Sequence, residues 1–214
     1  MKQLIFVLGT LLWPLLMEAQ SASLALPMPQ TSLKAAYLGS FVYPGFKLGL
    51  ERPYKVIQFQ KNKKGGGETM LKERYLSANL GYYHHETFHD NVYLLLEHQK
   101  RRQHNNGWFL ESAAGIGFSR TFLGGTTYAV SEDGEVRRKN LAGHNYAVLS
   151  ASFGGGYNFA IEQGKSFKPY GKISLLGMFP SNSFVYLRPT VELGLVCAVP
   201  NFLKANPTLK TKQQ

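Results

Sequence analysis

The sequence predicts an all-β fold, specifically an eight-stranded antiparallel transmembrane β-barrel of the outer-membrane type. Three observations carry this expectation. First, residues 184–199 alternate over an unusual length. Val185, Leu187, Pro189, Val191, Leu193, Leu195, Cys197 and Val199 share one face, while Tyr186, Arg188, Thr190, Glu192, Gly194, Val196 and Ala198 share the other. Period-2 alternation marks a strand with different media on its two sides. Globular strands run about 5–6 residues, whereas a tilted membrane-spanning strand needs roughly 9–11. Second, mean hydropathy is −0.19 although 44% of residues are hydrophobic. No long apolar run follows Ser21, which argues against helical spans. Third, 22 glycines and 13% aromatics suit tight bends and interfacial rings. A secreted β-sandwich shares much of this composition and stays open as an alternative.

The N-terminus reads as an export leader. Lys2 supplies the charge, residues 4–17 the apolar stretch, and Ala19-Gln20-Ser21-Ala22 the small residues for cleavage. The apolar stretch contains Pro14 and falls short of the about 20 residues a spanning helix needs. The expected organisation is a signal peptide over residues 1–21, a barrel over 22–203 and a basic tail over 204–214. Cleavage after Ala19 or after Ser21 is compatible with the pattern. The expected location is the outer membrane of a Gram-negative bacterium.

Strand patterns follow along the chain. Residues 33–43 alternate patchily. Phe46, Leu48 and Leu50 oppose Lys47, Gly49 and Glu51, and the run continues to about residue 60. Leu76, Ala78, Leu80 and Tyr82 oppose Ser77, Asn79, Gly81 and Tyr83. Val92, Leu94 and Leu96 oppose Tyr93, Leu95 and Glu97. Trp108, Leu110, Ala114, Ile116 and Phe118 oppose Phe109, Glu111, Gly115, Gly117 and Ser119. Segments 147–159 and 172–179 precede the long final strand. Asn106-Gly107 and Asp133-Gly134 are strong hairpin signals. The second is expected to cap an extended hairpin over residues 126–141, with Gly124, Gly125 and Gly143 as bends. A rival count drops residues 33–43 and adds a strand after Gly125. Both counts give eight strands, but they put the 61–68 loop on opposite sides.

Lys+Arg 24 against Asp+Glu 13 gives a net charge of +11. The excess clusters at Lys61, Lys63 and Lys64; Lys100, Arg101 and Arg102; Arg137, Arg138 and Lys139; and Lys204, Lys210 and Lys212. These clusters read as solvated loops at strand ends or as contacts to anionic headgroups. Export argues against nucleic acid as a partner.

The runs FKLGLERP (46–53), LSANLGYYHHETFHDN (76–91), GFSRTFLGGTTYAV (117–130), LAGHNY (141–146) and YLRPTVELGL (186–195) together resemble a small, uncharacterised outer-membrane β-barrel family of the Bacteroidota. The resemblance implies a barrel, an envelope location, and the barrel-assembly machinery and outer-membrane lipids or lipopolysaccharide as partners. It implies no activity and no cofactor. One departure is that Phe202 is followed by residues 203–214, so no aromatic residue closes the chain.

Two groups of residues invite chemistry. His84, His85, His89 and Asp90 carry ligand types suited to zinc or similar ions. Adjacent strand residues point to opposite faces, so His84 and His85 cannot both reach one ion within a continuous strand. The second group is Lys47, Glu51, Glu97, Glu111, Lys172, Arg188 and Glu192, all on faces assigned to the interior. An eight-stranded barrel is just wide enough for its side chains to fill it, so these charges are expected to pair. Arg188 or Lys172 is the candidate partner of Glu192, although Arg188, four residues away on the same strand, needs help from neighbours to pair with it. No histidine precedes a serine, so the local signature of a barrel enzyme acting on envelope lipid is missing. The expected function is a structural or envelope-interaction role without an open pore.

Overall fold

The computed structural model describes residues 28–39, 44–63, 66–86, 88–163, 166–181, 184–199 and 207–213. The expected leader therefore lies outside the described residues. Eleven strands and one short helix make up the described chain: β1 Ser32–Gly39, β2 Gly45–Lys63, β3 Gly66–His85, β4 His89–His104, β5 Trp108–Leu123, β6 Thr127–Val130, β7 Val136–Lys139, β8 Asn145–Tyr157, α1 Phe159–Gln163, β9 Phe167–Ser181, β10 Phe184–Ala198 and β11 Thr208–Gln213. Among these residues no helix is long and apolar enough to cross a membrane, which has no bearing on strands.

The main sheet runs β1-β10-β9-β8-β5-β4-β3-β2-β11, and β1 pairs with β2 as well. β1 thus bonds β10 along one edge, from Ser32–Ala198 to Gly39–Val191. Along its other edge it bonds β2, from Ser32–Glu51 to Leu38–Gly45. The strands β1–β5 and β8–β10 therefore form a ring of backbone hydrogen bonds. Registered partners followed from Lys34 round to β10 run through Gly49, Asn79, Leu95, Gly117, Val148 and Met178 to Tyr186. Tyr186 lies well past Val191, the last β10 residue that β1 reaches. That offset is the stagger of strongly tilted strands.

Alternation sets what each face holds. On β4 the outward Val92, Leu94 and Leu96 are exposed and the inward Tyr93, Leu95 and Glu97 are buried. On β10 the outward Leu187, Pro189, Val191 and Leu193 are exposed, while Arg188, Thr190 and Glu192 are buried. Ile116 is 64%, Phe153 62% and Ile173 70% exposed, whereas Glu51, Gln99 and Glu192 are at 0%. The ring is apolar outside and polar inside, the reverse of an aqueous core. A β-sandwich, which would pack its apolar faces against each other, is overturned by this exposure.

The expectation of eight strands, all antiparallel, is corrected. The main sheet has nine strands and is mixed, because β11 joins β2 in parallel from Thr208–Lys55 to Gln213–Gln60. β1 leaves β2 at Glu51, so the rest of that edge has unpaired backbone groups, and part of the segment expected to be a tail takes them up. The segment 61–68 is also no long loop, since β2 and β3 pair as far as Lys63–Gly66. Lys100, Arg101 and Arg102 lie within β4, not in a loop. β6 and β7 form a separate hairpin turning at Gly134, whose φ of +81° suits glycine. Gly143 is a close approach rather than a simple bend, because a Cβ there would meet the Thr121 carbonyl oxygen at 1.7 Å.

The ring has two unlike ends. One holds the start of β1 and the end of β10 with the β2–β3, β4–β5 and β8–β9 connections; we call it the terminal end. The other holds the β6–β7 hairpin and the β1–β2, β3–β4 and β9–β10 connections; we call it the hairpin end.

Candidate functional site: a charge network inside the ring

Six cations and five carboxylates are buried together: Lys34, Lys47, Arg101, Lys168, Lys172 and Arg188 with Glu51, Glu73, Glu97, Glu111 and Glu192. Near balance matters, because a buried charge is tolerated only with a partner and full hydrogen bonding.

The network is built in layers. Arg101 of β4 donates from Nε to Glu111 at 2.8 Å and from Nη2 to Glu51 at 3.0 Å. Its guanidinium lies over the rings of Tyr75 and Phe109, 4.6 and 4.9 Å from their centroids. A planar fork can serve two carboxylates while its faces stack, which an ammonium cannot do. Lys172 donates to the other oxygen of Glu111. Tyr75 donates its hydroxyl to Glu73 at 2.6 Å.

Glu192 of β10 accepts from Lys47 and from the Tyr170 hydroxyl, with the Lys34 ammonium at 4.0 Å. The expected pairing of Glu192 with Arg188 or Lys172 is corrected here. Lys172 is its registered neighbour on β9 but reaches to Glu111 instead. Arg188 lies over the Tyr83 ring, 3.4 Å from its centroid. A further layer centres on Glu97, which accepts from Asn79 at 2.8 Å and from Ser150 at 3.1 Å.

Other groups flank this stack on either side. Towards the hairpin end, Leu38, Tyr83, Tyr93, Leu95, Val148, Leu176 and Met178 form a buried apolar layer. Above it a cup of about 240 Å³ opens, bounded by Tyr83, His89, Thr121, His144, Tyr146 and Tyr186 among others. At the terminal end Gln103 donates to the Gly107 carbonyl at 3.0 Å and accepts from Asn158 at 3.2 Å.

All seven residues expected in the interior, Lys47, Glu51, Glu97, Glu111, Lys172, Arg188 and Glu192, are buried there. Sequence reasoning missed Lys34, Glu73, Arg101 and Lys168. Arg101 was legible in principle: it alternates with exposed Lys100 and Arg102, and extending the β4 pattern by four residues puts it inside.

The histidine group is divided. His84 Nδ1 sits 2.6 Å from Asp90 on the exposed rim. That hydrogen bond, with one from Tyr82, holds the Asp90 carboxyl below the usual carboxylate range. His85 instead stacks on His89, their centroids 5.6 Å apart. Among the described residues no three His, Cys, Asp or Glu side chains converge as a metal site. The four therefore sit on two faces, as strand alternation dictates.

No family model, no curated protein and no solved structure matches this chain. The resemblance to an outer-membrane family of the Bacteroidota is corrected accordingly. The family, the organism group and the outer-membrane location that came with it are not carried over to this protein. What stands is an all-β fold with a buried hydrogen-bond and ion-pair network.

Proposed function

We propose that the protein is a sealed scaffold seated in lipid, its outer belt touching acyl chains and its interior carrying no passage. The observation that supports this is the inversion of the ring. Leu80, Leu94, Ile116, Leu149, Ile173 and Leu193 are all more than half exposed, while the interior holds the ions. Monomeric proteins in water rarely expose apolar patches beyond a few hundred Å², and this belt encircles the ring. The main-sheet strands other than β1 and β11 have 13–20 residues, ample for an apolar layer that needs roughly 9–11.

The direct test places a charge on the belt. Leu193→Lys should destabilise the protein by about 2–4 kcal/mol near the middle of the apolar layer, read by urea titration in lipid vesicles. Leu193→Ala should cost clearly less. If Leu193→Lys unfolds at the wild-type urea concentration, acyl chains do not cover this face. A second test addresses sealing. The side chains that fill an eight-stranded ring leave no water column, so purified protein in planar bilayers should give no steady conductance. Reproducible channel currents would refute a sealed interior.

A further inference from the structure

The outward face of the terminal end carries a ladder of cations with no acid beside it among the residues whose side chains are described. Lys72 registers directly against Arg102, and Arg74 against Lys100. Lys55 of β2 registers against Arg74 on the other side. Like charges placed directly opposite on one face of a sheet destabilise it. The Phe59 ring faces the Lys72 ammonium, 4.1 Å from its centroid, but supplies no countercharge. Among residues whose side chains are described, every carboxylate lies inside the ring or at the hairpin end. The interior has six cations against five carboxylates, so nearly all of the net charge of +11 is carried outside it.

The ladder follows the belt without a gap. Outward positions of β4 read Leu94, Leu96, His98, Lys100 and Arg102 towards the terminal end, and those of β3 read Leu80, Ala78, Leu76, Arg74 and Lys72. At the change from leucine to cation, the Tyr54 hydroxyl and His98 Nε2 are 2.8 Å apart. Apolar, then amphipathic, then cationic is the order of surfaces met on passing from acyl chains through the interface to headgroups.

We propose that Lys72, Arg74, Lys100 and Arg102 seat the phosphate-bearing headgroups of anionic phospholipids, relieving the repulsion across β3 and β4. This rests on the lipid-seated reading above. A polyanion free in water would meet the cations equally well, but would have no use for the leucines that continue the same strands.

Trp108 provides a local reporter. It faces outward at 59% exposure, next along that face to Leu110, which registers against Arg102. With the only other tryptophan, Trp13, replaced by Phe, the protein is reconstituted into vesicles of mixed phosphatidylglycerol and phosphatidylcholine. One lipid or the other carries brominated acyl chains, at equal mole fraction. Brominated phosphatidylglycerol should quench Trp108 as though enriched there by about fivefold, the effect of a single cation at an anionic surface. The K72Q/R74Q/K100Q/R102Q variant should abolish the preference, and R137Q/R138Q/K139Q in the hairpin should keep it. Equal quenching by both lipids, a preference that survives the quadruple change, or one lost with the hairpin change would overturn the headgroup site while leaving the lipid seat intact. Absence of quenching by either lipid would overturn both.

Discussion

Replacing Arg101 with Leu should cost about 3–5 kcal/mol of stability and prevent refolding under conditions that suffice for wild type. Removing one member of a buried ion cluster leaves its partners charged and unpaired, which is the expensive way to break such a cluster. Arg101 joins Glu111 and Glu51, so its loss takes the ion-pair partner from buried Glu51 and leaves Glu111 to Lys172. Arg101→Lys should recover only part of the loss, because an ammonium cannot bind both carboxylates in the plane while stacking on Tyr75 and Phe109. Replacing Arg101, Glu51 and Glu111 together by apolar residues of similar volume should cost less than Arg101→Leu alone, since no charge is then abandoned. Equilibrium unfolding in urea reads all three. Wild-type stability of Arg101→Leu would mean that the interior charges are hydrated and do not depend on one another.

Glu192→Ala should cost a comparable amount, about 3–5 kcal/mol, by leaving Lys47 and Lys34 side by side without their shared carboxylate. The pair Glu192 and Lys47 spans 145 positions of sequence, so a charge swap is an informative check. E192K and K47E should each be severely destabilising, and the double variant should recover a substantial fraction, a coupling above the roughly 0.5 kcal/mol scatter of independent sites. Additive losses would show that the two side chains do not meet.

These two pairs also show what a sequence can and cannot disclose. Alternation in residues 184–199 displays both faces of β10, because outward and inward positions differ in polarity over most of its length. It says nothing of which inward residue meets which, since that depends on the stagger accumulated round the ring. Glu192 therefore looks paired with neighbours on its own or the next strand, while its partner Lys47 sits across β1. The terminal half of β3 was hidden for another reason. Lys72 and Arg74 hold the outward positions of residues 71–75, so the apolar alternation that marks the rest of β3 stops short of them. β11 is concealed most completely: Thr208–Gln213 has almost no apolar residues, and it becomes a strand only because β2 offers it a free edge.

The seam between β1 and β10 has a consequence in time. Ser32 meets Ala198 and Gly39 meets Val191, so the chain's earliest described strand must wait for one of its last. A nascent or truncated chain lacking β10 has two bare strand edges, on β1 and β9, and no interior sealed from water. Its carboxylates and lysines would stay hydrated and its leucines would find other chains. Assembly is thus a single late event that joins distant parts of the chain, the arrangement that folds slowly and exposes intermediates to aggregation. Survival of the unfinished chain would then depend on something else holding it until residue 198 is made.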